Sequence, residues 1–218
     1  MLPKDDRISV ELNKYDRKYR LNSIALKVEE PLISLIVLAE GEEEARLLPF
    51  MVNALNGERK TVAITKPKET RYSSIRFIKL WLNSLKTLKK LLFIIDQENE
   101  EIDKIFDNMA NSLNEIGIQI SYEKGIENRV RSYNCELGNI VFEVIIVISG
   151  VKNLNSKKHK IEDHLLSIRG VSESMEDSKE YWKRLPQDSK EEIYERLKDR
   201  DLINKHFSSH MKALSELE

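Results

Sequence analysis

The chain has little cysteine, proline and glycine, and it has no long apolar run. A single cysteine, Cys135, among 218 residues excludes an intramolecular disulfide and a four-cysteine zinc site, and it favours a reducing, cytoplasmic location. No apolar run approaches the ~20 residues that span a bilayer, and the amino terminus lacks the basic-then-apolar order of a secretion signal. The scarcity of glycine beside abundant Lys, Glu and Ile is typical of heat-adapted proteins.

An excess of one charge is also absent. The chain has 36 Lys and Arg against 37 Asp and Glu, a formal net charge of -1. No global field therefore attracts nucleic acid or an anionic membrane, and any basic site must be local. The hydrophobic fraction of 40% indicates a folded protein with a substantial core.

Strand and helix patterns alternate along the chain. Uninterrupted apolar runs are typical of strands buried on both faces of a parallel sheet, and they occur at 33–39, 61–65 and 91–95. Helical spacing follows each run, over 42–55, 74–88 and 100–116, and further strands are predicted at 118–122 and 140–148. This order predicts an α/β fold with a mostly parallel sheet flanked by helices.

Three regions are predicted. Residues 1–30 carry short alternating segments that indicate a strand or hairpin extension, and residues 31–151 form the α/β domain. Residues 152–218 begin as a lysine-rich loop and continue as helices near 161–168, 176–185, 188–198 and 200–216. Because no glycine-rich linker precedes these helices, we expect them to pack on the sheet.

Acidic residues follow two of the predicted strands. Glu40 and Gly41 end the first strand, Glu44 opens the next helix, and Asp96 and Glu98 end the third strand. The carboxyl ends of neighbouring parallel strands meet at one edge, so these carboxylates converge if the first and third strands are neighbours. Hard oxygen ligands of this kind suit Mg²⁺, which can polarise a phosphoryl oxygen or supply a bound hydroxide.

Two segments together resemble a known family. Leu38-Ala-Glu40-Gly-Glu-Glu-Glu44 and Phe93-Ile-Ile-Asp96-Gln-Glu98 are similar to the Toprim domain of topoisomerases, primases, small archaeal Toprim-like proteins and the overcoming-lysogenization-defect nucleases. The resemblance covers roughly residues 33–168. It implies a Rossmannoid sheet, Mg²⁺ or Mn²⁺ as cofactor, and DNA or RNA as partner.

The resemblance also implies roles for individual residues. Glu40 corresponds to the family's glutamate and Asp96 to its first aspartate, which makes both candidates for catalysis and metal binding. Glu98 stands where the family has a second aspartate, and Glu162-Asp163 resembles a later acidic pair. The implied metal ligands are thus Glu40, Glu44, Asp96, Glu98, Glu162 and Asp163. A structural interpretation stays open, since such residues also cap helices and stabilise their amino termini.

Basic residues and histidines form a second group of candidates. Lys66, Lys68 and Arg71 follow the second strand at the same edge, where they are predicted to contact a phosphate backbone; solvated loop charge is the alternative. His206 and His210 share a helix face, but no His-Glu-x-x-His glutamate accompanies them. We interpret all four histidines as structural or surface residues and Cys135 as an inert thiol.

The sequence predicts a Toprim-like protein that cleaves phosphodiester bonds of nucleic acid with Mg²⁺. The first alternative is a non-catalytic binding or adaptor protein that keeps the sheet and uses its carboxyl-terminal helices for homo-oligomer formation or for contact with a partner. Glu98 in place of aspartate, the balanced net charge and the amphipathic helices after residue 170 favour that alternative. A small-molecule phosphotransferase or a flavodoxin-like fold is a further alternative at the same edge.

Overall fold

The computed structural model describes residues 33–39, 42–55, 62–67 and 69–217, together with four short strands nearer the amino terminus. The short strands form two antiparallel pairs. β1 (Ser9–Val10) pairs with β4 (Ser23–Ile24), and β2 (Lys14–Tyr15) pairs with β3 (Lys18–Tyr19).

A six-stranded sheet forms the centre of the molecule. Its strands are β5 (Ser34–Leu38), β6 (Val62–Thr65), β7 (Lys90–Asp96), β8 (Gln119–Glu127), β9 (Val130–Leu137) and β10 (Ile140–Ser149). The order across the sheet is β6-β5-β7-β10-β9-β8. β6, β5, β7 and β10 are parallel, whereas β9 is antiparallel to both of its neighbours. The predicted α/β fold with a mostly parallel sheet flanked by helices is confirmed.

Helices cover both faces of this sheet. They are α1 (Glu42–Ala54), α2 (Ile78–Ser84), α3 (Ile102–Glu115), α4 (Glu162–Arg169), α5 (Ser178–Arg184), α6 (Gln187–Arg196), α7 (Arg200–His206) and α8 (Ser208–Ser215). A 3-10 helix spans Arg71–Phe77, and the parallel strands β11 (Ser156–Lys158) and β12 (Met175–Asp177) flank α4. No helix in the described residues is both long and apolar enough to cross a membrane.

The alternation of side chains along each central strand builds two cores. In β5, Leu35 and Val37 join the core beneath α2 and α3, while Ile36 and Leu38 join the core beneath α1 and the carboxyl-terminal helices. Both faces of β5 are therefore buried, which explains why its sequence is an unbroken apolar run. Trp182, Phe207 and Leu214 belong to the second core, so α5, α7 and α8 bury their apolar sides against the sheet.

Several elements differ from the sequence prediction. The helix predicted over 74–88 is a 3-10 turn followed by α2, which ends at Ser84. β9 was not predicted, because polar residues interrupt its apolar pattern. The Asp177 side chain accepts hydrogen bonds from the Lys179 and Glu180 amides, so α5 begins at Ser178 rather than at 176. The helix predicted over 200–216 breaks at Phe207, where φ is -119°.

Candidate functional site

The sheet topology brings the predicted strand ends together. β5 lies next to β7, and β7 pairs with β10 so that Asp96 is opposite Ser149. The carboxyl ends of these parallel strands form one edge, which is where ligands of open α/β sheets bind. Glu40 and Lys68 lie outside the described residues.

Asp96 connects the end of β7 to the start of α4. Its side chain is buried, with 2% of the residue exposed, and the backbone N–H of Ile161 donates to Oδ1 at 2.8 Å. A carboxylate at this position satisfies an amide at the beginning of a helix and interacts favourably with the helix dipole. The contact joins two segments that the sequence singled out separately, 96–98 and 161–163.

Glu98 is held by both its backbone and its carboxylate. Its N–H donates to the His159 carbonyl at 2.7 Å, and its own carbonyl accepts from the His159 N–H at 2.8 Å. Its φ of 55° places it in the left-handed region. The Glu98 Oε1 lies 3.2 Å from Lys160 Nζ, which lies 3.0 Å from Asp177 Oδ2. Burial lowers the Lys160 pKa, but hydrogen bonds and charge from Asp177 and Glu98 outweigh this effect and raise it overall.

Asp163 is a fully buried carboxylate in the first turn of α4. Its Oδ2 accepts the Val151 N–H at 3.0 Å and lies 2.6 Å from Nδ1 of His159. An ionised carboxylate only accepts hydrogen bonds, so next to such a group Nδ1 of His159 would be the donor. Asp163 therefore orients a histidine for which the sequence had indicated only a structural or surface role.

Glu162 and Glu44 are the other buried acidic residues of the predicted set. Glu162 is 1% exposed, and its Oε2 has no hydrogen-bond partner among the described residues. Burial raises the Glu162 pKa to about 7; a backbone hydrogen bond and Lys179 oppose that effect, and Glu43 reinforces it. Lys179 and Glu43 belong to α5 and α1, and Lys160, which precedes α4, also lowers the Glu162 pKa. Glu44 is buried in the first turn of α1.

Two of the predicted basic residues lie in the described region. Lys66 is half-buried and directly follows β6. Arg71 pairs with Glu100, at 2.7 Å between Nη1 and Oε1, and the Tyr72 hydroxyl donates to the other Glu100 oxygen at 2.9 Å. Glu100 lies four residues beyond Asp96, so this pairing holds Arg71 near the end of β7.

Gly150 is a residue of this edge that the sequence did not single out. Its φ is 128°, and a Cβ at this position would lie 2.7 Å from His159 Cβ. Arg129 Nη1 and Gln97 Oε1 would each lie 3.5 Å from the same point, and Arg129 donates to Gln97 at 2.8 Å. Three polar side chains therefore meet beside Gly150, and the absence of a Cβ permits their approach.

Three histidines tie the carboxyl-terminal helices to α4 and β10. His164 accepts the Gly150 N–H on Nε2 at 3.2 Å and donates from Nδ1 to the His206 carbonyl at 2.5 Å. His206 Nδ1 lies 2.8 Å from the Ser167 hydroxyl, and His210 Nε2 lies 3.0 Å from the Ser149 hydroxyl. Burial lowers the His164 pKa to about 4 and the His210 pKa well below its ordinary value, so both rings are neutral at pH 7.

Comparison with protein-family models, with curated proteins and with solved structures found no match. The Toprim resemblance rests on the motifs around Glu40 and Asp96 alone. Function must therefore be argued from the chemistry of this edge.

Several of the predicted carboxylates are bound by other groups of the protein. Within the described ranges, no three His, Cys, Asp or Glu side chains converge as a ligand set. Lys160 forms an ion pair with the Glu98 carboxylate. The Asp163 carboxylate accepts a hydrogen bond from the Val151 amide and lies within hydrogen-bond distance of the His159 ring. Mg²⁺ commonly takes only one or two protein carboxylates and fills its other positions with water and substrate phosphate. A carboxylate such as Asp96 is the type of ligand that this smaller kind of site uses.

Proposed function

We propose that this protein cleaves phosphodiester bonds of nucleic acid at the carboxyl edge of its sheet, in a reaction that depends on Mg²⁺ or Mn²⁺. One observation carries the proposal. Asp96, a buried carboxylate, ends a central strand and is fixed by the amide of Ile161, beside the strand that leads to Glu40. Perturbed or buried acidic groups at such an edge are characteristic of active sites.

Each residue has a separate part in the proposed reaction. Asp96 and Glu40 would hold the ion, which when bound stabilises charge on a phosphoryl oxygen. The Ile161 amide fixes the orientation of the Asp96 carboxylate. Lys66, Lys68 and Arg71 would contact the phosphate backbone and align it without reading sequence.

Glu98, Glu162 and Asp163 are not included in the proposed ligand set. The Glu98 carboxylate joins Lys160, and Lys160 joins Asp177 at the start of α5, which gives Glu98 a structural role. Asp163 lies within hydrogen-bond distance of His159, and Glu162 is buried beside the charges of Lys179, Glu43 and Lys160. The proposed centre is therefore smaller than the set implied by resemblance.

The direct test is hydrolysis of labelled single-stranded DNA, duplex DNA and structured RNA with Mg²⁺ or Mn²⁺ and with EDTA. Asp96→Asn is the informative variant, because an amide oxygen still accepts the Ile161 N–H while the charge is lost. We expect metal-dependent cleavage by the wild type and a loss of about 100-fold or more in Asp96→Asn and Glu40→Gln. Glu115→Gln, an exposed change at the end of α3, is the matched control and should cleave normally.

A folded wild type that cleaves none of these substrates under any metal condition would contradict the proposal. The binding or adaptor alternative would then be preferred, and retention of the same labelled nucleic acids in a gel would test it. If Asp96→Asn and Glu115→Gln cleave equally well, the activity comes from another site or from a contaminant.

A further inference from the structure

His159 and Asp163 form an imidazole–carboxylate pair next to Gly150. The distance from Nδ1 to Oδ2 is 2.6 Å, and the Val151 amide donates to the same oxygen at 3.0 Å. In the tautomer that has its proton on Nδ1, an imidazole ring has its lone pair on Nε2. A carboxylate that selects this tautomer prepares the ring to accept a proton.

The two partners differ in exposure. The Asp163 side chain is 0% exposed, whereas the His159 side chain is 17% exposed. No group in the described part of the chain hydrogen-bonds to His159 Nε2. His164, by contrast, uses both ring nitrogens in bonds to the protein. His159 can therefore meet a ligand while Asp163 keeps its orientation fixed.

The pair is adjacent to Asp96. The backbones of 96–98 and 159–161 run side by side, because Glu98 and His159 exchange two hydrogen bonds and the Ile161 amide donates to Asp96. Gly150 removes the steric barrier to this arrangement, since any side chain there would collide with His159 Cβ. The His159 imidazole and the Asp96 carboxylate therefore lie on two backbone segments, 159–161 and 96–98, that are joined by hydrogen bonds.

Arg129 supports the buried charge of Asp163. Burial lowers the Arg129 pKa, and the charge of Asp163 acts in the opposite direction, which indicates attraction between them. A fully buried carboxylate needs such compensation in addition to hydrogen bonds. Asp163 can therefore act as a fixed hydrogen-bond acceptor for the His159 ring.

We propose that His159 is the general base of the phosphodiester cleavage and that Asp163 is its positioning residue. This inference rests on the proposed function. A water oxygen attacks phosphorus, and the proton it loses goes to Nε2 of His159. The phosphorus–oxygen bond to the leaving nucleotide breaks, and its electron pair leaves on that oxygen, which takes a proton from solvent.

Kinetics of three variants test the assignment. His159→Asn keeps an N–H that can bond Asp163 but lacks a base at the Nε2 position, so kcat should fall by about 10²–10⁴-fold while KM changes little. His159→Ala should be equally slow and should be partly restored by added imidazole. Asp163→Asn should lower kcat by altering the tautomer. Lys157→Gln, an exposed neighbouring change, should leave both constants unchanged.

Nitrogen-15 NMR of the histidine rings tests the orientation without any substrate. At pH 8 we expect His159, assigned by the signal missing in His159→Asn, to be the Nδ1–H tautomer in the wild type. Asp163→Asn should lose that preference. An Nε2–H ring in the wild type, or an unchanged ring in Asp163→Asn, overturns the inference whatever the activity.

The outcomes separate this inference from the proposed function. An active wild type with an equally active His159→Asn variant overturns the role of His159 and leaves phosphodiester cleavage standing. An inactive wild type overturns phosphodiester cleavage itself, and the role of His159 in it. Activity that falls in His159→Asn and returns with imidazole in His159→Ala supports both.

Discussion

Gly150 illustrates how much of the edge depends on single residues. It directly follows β10 with a φ of 128°, a conformation that L side chains rarely adopt, and it lies against His159 Cβ. Its amide also donates to His164. One backbone position therefore sets the distance between β10, the loop that carries His159 and the start of α4.

Gly150→Ala should destabilise the protein by about 1–3 kcal/mol, because backbone strain and the collision with His159 add. Urea unfolding measures the change. Gly138→Ala is the matched control, since Gly138 also has a positive φ, of 60°, but has no atom within 4 Å of its Cβ position. Gly138→Ala should lower the free energy of unfolding by less than Gly150→Ala does, by about 1 kcal/mol. Equal losses in the two variants would show that contact with His159 has no energetic effect.

Glu162 should make stability depend on pH. Its pKa is raised from 4.5 to about 7 in the folded protein, so the folded state binds the proton more tightly than the unfolded state does. The stability that this proton contributes is complete below about pH 4.5 and is lost as pH rises through about 7, by up to about 3 kcal/mol. Burial dominates the shift, with Lys179, Glu43 and Lys160 as the charged neighbours.

Glu162→Gln should therefore be more stable than the wild type at pH 8 and nearly equal to it at pH 4.5. Urea midpoints at the two pH values give the comparison, and subtraction removes contributions from the buried histidines. A difference between variant and wild type that does not change with pH would contradict the raised pKa.

At the scale of secondary-structure elements, the Lys160 side chain connects β7, β12 and α5. Its ammonium bridges Glu98, beyond β7, and Asp177, at the end of β12 and the start of α5. The Lys160 side chain is 11% exposed, so removing its charge leaves two poorly solvated carboxylates without their cation. Breaking such a pair costs more than the pair itself contributes.

Lys160→Gln should lower the free energy of unfolding by about 2–4 kcal/mol. Lys157→Gln is the control, because Lys157 pairs with Glu176 where both side chains are largely exposed, and it should cost less than about 1 kcal/mol. Thermal or urea unfolding of both variants makes the comparison. A loss in Lys160→Gln no larger than in the control would mean that the bridge does not connect these elements energetically.

The central strands could be predicted from sequence, and the polar elements could not. β5, β7 and β10 are apolar runs buried on both faces, and short runs rich in Ile, Val and Leu are typical of central strands. β9 carries Arg131, Asn134 and Glu136, and its strand conformation depends on pairing with β8 and β10. The break at Phe207 likewise follows from burial of that side chain in the core rather than from a proline or glycine.

At the scale of the whole molecule, the sheet and the carboxyl-terminal helices share one core. Trp182, Phe207 and Leu214 pack in the cluster that contains Ile36 and Ile94. In the described residues the exposed large apolar side chains are Val52, Leu80, Tyr122 and Val141, and none belongs to α5 through α8. The apolar sides of these helices are thus used within the chain, which gives no support to self-association through them.

The same scale explains why the candidate site was only partly predictable. The sequence indicated that β5 and β7 end at one edge, and that Asp96 and residues 162–163 belong to related segments. It did not indicate which carboxylates are taken by Lys160 and His159, because those pairings arise when β7, β10 and α4 meet. The four-residue spacing of His159 and Asp163 was the available signal, and it is common on helices.

Binding of Mn²⁺ to the wild type and to Asp96→Asn, measured by isothermal titration calorimetry, tests the proposed centre most directly. We predict one ion per chain in the wild type and affinity at least about 10-fold lower in Asp96→Asn, since a charged ligand becomes neutral. Circular dichroism must show that both proteins are equally folded. No binding by the wild type, or equal affinity in the two proteins, would contradict a metal centre at Asp96.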